Sequence, residues 1–369
     1  MGLLFNFIKP EPVVNKVDAA VAPYNISGQT NPYFFPTTGS PLITRQQAMQ
    51  VPAVARARNI IATTIGSLPL EVRRESNNSK VPASPFIRQP DPRMPASVVY
   101  TYLAEELLFY GEAYLRILEL DTAGRPLSAE WISKTRITKK LDARNYTVLH
   151  YELDGLKVPD TGLGSLIPFT GLDEGVLNRA GTTILAALAL ERAVKRYADE
   201  PLPQAILKSN LPLPKERVTA LLDAWKTARN TRSTAFINDT VDFEHFGFNP
   251  AELTLNEARQ YMATEIARLM NIPEWYVAGN SSGSMTYSNV TTERRALVDF
   301  SLRPIMTAIE QRLSDIDITP RGSFVRFDLD DFYRGNPQER ADIYSKLVPL
   351  GIMTVNEART MEDLIDNGN

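Results

Sequence analysis

The chain has 369 residues, a net charge of -3 from 40 Lys plus Arg against 43 Asp plus Glu, and 43% hydrophobic residues, which predicts two or three soluble domains. Such a charge balance excludes a protein that holds DNA by wrapping it in positive charge. With no cysteine and only His150 and His245, disulfides, thiolate metal sites, a cysteine nucleophile and a three-histidine zinc site are excluded as well.

The opening MGLLFNFIK has no basic residue ahead of its short apolar stretch, no cleavage site behind it, and Asn6 where myristoylation needs Ser or Thr. Neither a secretory signal nor a lipid anchor is expected, and no apolar run approaches the roughly 18 residues of a membrane helix. The expectation is a soluble intracellular protein whose Phe5, Phe7 and Ile8 dock on a neighbour. Pro10, Pro12, Pro23, Pro32, Pro36 and Pro41 predict an extended arm over 1–43.

Thr44 with Gln47 forms a capping box, and Val51, Val54, Ile61 and Ile65 predict one helix from there to Gly66. A second helix is predicted from Val98 to Tyr110, ended by Gly111, followed by a strand over 113–120 and the turn DTAGRP. ILAALALERAVKRYA after Thr183 is a strong helix that stops before Pro201 and Pro203. Beyond them comes a proline-bounded insert. It holds a helix opened by Pro214, with Val218, Leu221, Leu222 and Trp225 on one face, and the strand-like STAFIND. Thr254 with Glu257 caps the next helix, which ends at Ile272-Pro273. GNSSGS then leads into a long helix, about 289–313, that Pro304 should kink by removing a donor and crowding the Phe300 carbonyl. Val325, Phe327 and Leu329 alternate with Arg326 and Asp328 as a half-buried strand; helices opening at Asn336-Pro337 and at Thr354 with Glu357 close the chain.

GNSSG matches the spacing of a serine nucleophile elbow at Ser281, but no histidine follows His245 and the preceding segment is a helix with a proline turn, so a loop is expected. No phosphate-binding G-x-x-x-x-G-K-[ST] occurs. Asp328 and Asp330 on one strand face could hold Mg²⁺, yet Arg326 shares that face and Arg334 and Arg340 are near, which favours surface ion pairing. No catalytic residue, metal or cofactor is assigned; a metal-dependent nuclease or phosphotransferase using these aspartates is the competing enzyme reading. From Lys208 to Arg232 six basic residues (Lys208, Lys215, Arg217, Lys226, Arg229, Arg232) meet two acidic ones, either a solvated helix face or a docking surface for an acidic partner.

Five segments in order resemble the portal protein family of tailed bacteriophages, of the siphophage type: VARARNIIATTIGSLPLEV (54–72), YGEAYLRILEL (110–120), EIARLMNIPEWYVAG (265–279), SMTYSNVTTERRALVDFSLRPIMTAIEQRL (284–313) and FDLDDFYRGNPQERADIYSKLVPLGIMTVNEAR (327–359). Glu274 stands where the family often has a second proline, and Asn336 where it has an acidic residue. The resemblance implies an α+β fold with a mixed wing domain (44–180 and a return strand in 315–335), a two-helix stem (181–199 and 251–272), a small α/β clip (200–250), a tunnel loop region (273–288), a kinked tunnel helix (289–314) and a short crown (336–369). It further implies a ring, usually of twelve copies, at the portal vertex of the virion, assembled in the host cytoplasm, through which double-stranded DNA is packaged and ejected. The implied partners are further copies of the chain, the terminase large subunit, major capsid and scaffold proteins and a head-tail adaptor, with no membrane. Within that architecture Gly279, Asn280, Ser281, Ser282, Gly283, Ser284, Met285, Thr286, Tyr287 and Ser288 are the residues expected to face DNA, and the basic residues of 208–232 those expected to meet clip partners. The competing non-enzymatic reading is another ring-forming head-tail connector.

Overall fold

The computed structural model describes residues 43–141, 148–199, 205–209, 214–230, 241–245, 255–277, 294–333, 337–362 and 364. The Thr44 hydroxyl accepts from the Gln47 N–H and the Gln47 amide oxygen accepts from the Thr44 N–H at 3.0 Å, but helix α1 spans only Arg45–Ala48. The single helix expected up to Gly66 is divided. Pro52 pushes Val51 into an extended conformation and becomes the first residue of α2 (Pro52–Arg58), as a residue without an N–H and with a fixed φ does best. A π-helical turn (Asn59–Thr63) continues it into α3 (Thr64–Ser67).

Strands β1 (Leu70–Arg74) and β2 (Lys80–Val81) and the short α4 (Pro85–Arg88) lead to α5 (Ala96–Tyr110). This helix is buried nearly all round, from Val99 through Leu103 and Leu107 to Phe109, and it is the axis of the core. α3 crosses it so closely that a Cβ on Gly66 would sit 2.7 Å from the Ser97 carbonyl, a contact only glycine allows. Gly111 ends α5 in the left-handed region at φ 72°, where glycine carries no Cβ penalty.

Strands β3 (Glu112–Leu120), β4 (Pro126–Ile132), β5 (Ile137–Leu141), β6 (Val148–Leu153), β7 (Leu156–Lys157) and β8 (Leu166–Thr170) form two antiparallel sheets, ordered β4-β3-β8 and β5-β6-β7. The β3–β4 turn is closed by Asp121, whose Oδ1 accepts from the Ala123 and Arg125 N–H groups at 2.8 Å. Helix α6 (Val176–Arg179) runs into α7 (Gly181–Asp199). Then come β9 (Ala205–Ser209), α8 (Lys215–Asn230), β10 (Val241–His245) and α9 (Leu255–Leu269). β9 and β10 pair antiparallel as a sheet of their own, while α7 packs on α9 and Arg259 Nε donates to Glu191 Oε1 at 3.0 Å between them. STAFIND and Thr254 lie outside the described residues.

A π-helix (Leu297–Leu302) precedes α10 (Arg303–Ser314). Strand β11 (Ser323–Phe327) then returns to pair antiparallel with β1, Val325 opposite Val72 and Phe327 opposite Leu70. Helices α11 (Asp330–Tyr333), α12 (Pro337–Leu347) and α13 (Val355–Met361) follow, the last with the expected Thr354–Glu357 capping box. One apolar cluster joins α2, α3, α5, β3, β8 and the start of α7 to the end of α9, α10 and β11. Each large side chain in it, such as Phe86, Phe109, Phe169 or Phe327, contributes about 1.5–3 kcal/mol by leaving water.

Candidate functional site

The residues expected to face DNA, Gly279 to Ser288, lie outside the described residues; the frame on either side of them is described. Helix α9 ends in a left-handed turn: Met270 N–H donates to the Ile266 carbonyl at 2.9 Å and Ile272 N–H to the Ala267 carbonyl at 3.0 Å, with Asn271 between them at φ 55°. Asparagine is the usual alternative to glycine at such a position, and Pro273 beyond it cannot continue the helix. The Asn271 side-chain amide donates to the Phe300 carbonyl, and the Ser301 hydroxyl donates to the Asn271 carbonyl. In an α-helix the partner of the Phe300 carbonyl would be the N–H of residue 304, which is Pro304.

Asn271 therefore supplies the donor that Pro304 lacks. The turn before Pro304 is the wider π-turn Leu297–Leu302, which relieves the clash of the ring with the preceding turn. Residues 273–277 are tied to the same frame. The Thr264 hydroxyl donates to Glu274 Oε1 at 2.6 Å, and Arg56 Nε donates to the Tyr276 carbonyl at 3.3 Å. On the far side, Glu310 Oε1 accepts from the Phe327 N–H at 2.8 Å, joining α10 to β11, and burial raises the pKa of this carboxyl.

Periodicity found the proline and missed Asn271, although an asparagine at a helix end before Ile-Pro was a readable signal. Asn271→Ala loses both the tolerance for φ 55° and the bond to Phe300, and should cost about 2–3 kcal/mol; Asn271→Gly keeps the turn and loses only the bond, about 1 kcal/mol. Thermal unfolding should rank the parent chain above Gly and Gly above Ala.

The basic residues of the insert are distributed over several elements. Lys208 is on β9 in register with Asp242 on β10; Lys215 and Arg217 are exposed in the first turn of α8, and Lys226 and Arg229 follow on the same helix. At 100° per residue, position 226 comes round to the side of 215 while 217 falls on the opposite side. Arg232 lies outside the described residues. Of the expected apolar face of α8, Val218 and Leu222 are 39% and 44% exposed.

Asp328 and Asp330 do not share a strand face. β11 stops at Phe327, where the Asp328 N–H turns to the Pro69 carbonyl at 2.8 Å, and Asp328 Oδ1 accepts from the Asp330 N–H at 2.9 Å at the start of α11. Asp328 Oδ2 lies 3.5 Å from Lys80 Nζ. Burial raises the pKa of Asp328, but the Asp330 N–H, a hydrogen bond with Glu71 and the Lys80 ammonium outweigh it and hold the carboxyl below its usual range. Among the described residues no three His, Asp or Glu side chains gather as a metal site.

A buried charge network lies at the end of α5, where Glu105 and Glu106 interrupt an apolar run. Glu105 pairs with Arg45 and Arg58. Glu106 Oε1 accepts from the Lys134 N–H at 2.9 Å, and burial pushes its carboxyl up to about 8 against the hydrogen bonds from Lys134 and Ser133. Glu112, almost wholly buried, meets Lys134 Nζ at 3.0 Å, Lys139 Nζ and the Tyr114 hydroxyl, which donates at 2.6 Å.

A family model described as phage portal protein matches residues 52–363. The chain is 24% identical over 352 residues to the probable portal protein of Streptomyces phage phiC31, covering 87% of this chain and 76% of that one. A crystal structure of an HK97 family phage portal protein from Corynebacterium diphtheriae superposes with a TM-score of 0.59 at 25% identity, covering 81% of this chain and 99% of that one. In the neck of a native gene transfer agent particle computed with C12 symmetry, a chain superposes with a TM-score of 0.60 at 16% identity, covering 89% and 96%. With the family match running from the start of α2 to just past α13, through the two packed helices and the proline-interrupted helix between them and β11, the chain belongs to the phage portal protein family.

Proposed function

We propose that this portal protein closes into a ring of twelve subunits at one capsid vertex and acts as a passive conduit for double-stranded DNA, with no active site of its own. The observation that carries the reading is the frame itself: two packed helices, α7 and α9, bracket the insert, and Asn271 joins the end of α9 to the helix interrupted at Pro304, so the loop between them hangs from a fixed base. In this reading the insert faces the terminase large subunit during packaging and the head-tail adaptor afterwards, while capsid and scaffold proteins surround the outer sheets. Assembly takes place in the host cytoplasm.

Sliding requires weak phosphate contacts, because each Lys or Arg on a phosphate adds sequence-independent affinity through counterion release. Between Gly279 and Asn289 the chain has no Lys or Arg and offers Ser281, Ser282, Ser284 and Thr286 instead. Short hydroxyls exchange hydrogen bonds with passing phosphates without a fixed charge.

Negative-stain images of the purified chain should show rings with a central hole; compact monomers at high concentration would overturn the assembly. Ser282→Lys should leave rings and procapsids intact and slow DNA packaging, with the defect shrinking as ionic strength rises. Packaging at the parental rate would remove this loop from the channel.

A further inference from the structure

A groove of about 510 Å³ opens between α2, α7 and α9. Its apolar lining is aliphatic throughout: Val51, Ala187, Leu190, Met262, Ala263 and Ile266. Polar groups stand among these residues, namely Arg56, Asn256, Gln260 and the Arg259–Glu191 pair. A groove of this size and lining takes one or two large apolar side chains and holds the backbone that carries them through a few polar contacts.

The chain itself supplies such a segment, Pro32-Tyr33-Phe34-Phe35-Pro36. No charged residue occurs between Asp18 and Arg45, so this stretch can enter an apolar groove without stripping water from a charge. Its two prolines lack N–H groups, which leaves five carbonyls and three N–H groups to satisfy; Arg56, Asn256 and Gln260 are donors, and the amide oxygens of Asn256 and Gln260 accept. Reach is adequate as well. Ile43 is fully buried and α1, which follows it, packs on α7, one wall of the groove. Val51, on the groove, is eight residues along a mostly helical path from Ile43, about 12 Å at the helical rise. Eight extended residues from Phe35 back to Ile43 span up to about 26–29 Å.

We infer that the groove between α2, α7 and α9 is the docking site for the Tyr33-Phe34-Phe35 segment of the same chain, which inserts one or two of its three rings and straps the arm across the two packed helices. The contact is made within one subunit and does not depend on the ring.

Because the chain has no cysteine, an engineered pair is the sole source of a disulfide. In the full chain, Phe34→Cys with Ala263→Cys should oxidise readily to a bond within one subunit, seen as faster migration of the monomer band on a non-reducing gel, while Leu3→Cys with Ala263→Cys should not. A ladder of covalently linked subunits would show that a neighbour's arm fills the groove and would overturn the assignment. So would the absence of a bond with cysteine placed in turn at 33, 34 and 35. Independently, Phe34→Ser with Phe35→Ser should speed hydrogen exchange over residues 256–266 by roughly tenfold as the strap is lost, and unchanged exchange counts against it.

Discussion

Glu112→Gln should unfold with about 3–5 kcal/mol less stability than the parent chain. The carboxylate is nearly inaccessible and stands between Lys134 and Lys139, whose side chains are 18% and 12% exposed. Removing its charge leaves two largely buried ammonium groups facing each other without a counter-ion, and replaces one of the two acceptor oxygens by an amide NH₂ that cannot accept from either of them. Burial already lowers the pKa of Lys139 against the pull of Glu112, so this ammonium is held in place by that carboxylate. The loss should be visible in a denaturant titration as a lower midpoint. Glu112→Met combined with Lys139→Met should recover part of it, since the more deeply buried ammonium is removed together with its carboxylate while Lys134, the more exposed of the two, is left closer to water. If the single and double variants lose stability equally, packing rather than charge governs the site.

Glu106→Gln should do the opposite, and its effect should depend on pH. The folded carboxyl is pushed up to about 8 from an ordinary value of 4.5, first by burial and also by the nearby Glu105, while the Lys134 N–H, the Ser133 hydroxyl and the Lys134 charge oppose the shift. Between those values the unfolded chain has released its proton and the folded chain keeps it, so the folded state binds more protons and stability falls as pH rises from about 4.5 to about 8. Glutamine reproduces the protonated acid, with Oε1 still accepting from Lys134, and does not titrate. The variant should match the parent near pH 4.5 and exceed it above pH 8 by up to about 5 kcal/mol. Melting curves that stay parallel across this range would refute the assignment. The other groups facing Glu106 are Tyr110 and Tyr114, the latter hydrogen-bonded to Glu112. Burial raises both phenols further from neutrality, so they do not titrate in the same window.

Much of the local structure was legible in the sequence because its causes are local. The capping boxes at Thr44 and Thr354, the glycine stop after Tyr110 and the Asp121 turn each act through one side chain on backbone a few residues away. The same reasoning failed at Pro52, where helical spacing continued across a proline that ends one helix and starts another. It failed again at Asp328 and Leu329, where alternation ran two residues past the strand into the cap of α11. Periodicity shows which side of an element is apolar and is a poor guide to where the element stops.

By itself the sequence determined a set of helices in order, α5, α7, α8, α9 and α13, and, through five ordered segments, the family to which the chain belongs; it left most of the strands unread. Only the tertiary structure decided which distant groups meet. The amide of Asn271 reaches the carbonyl left over by Pro304, 29 residues from Asn271, β11 returns across the core to β1, and Lys134 and Lys139 close on a glutamate buried at the start of β3. A helix cap or a turn is set by a few neighbouring residues, whereas these partnerships form because a buried carbonyl, strand edge or carboxylate must find a partner once water is gone. The packing of the whole chain selects that partner, and no local pattern records it.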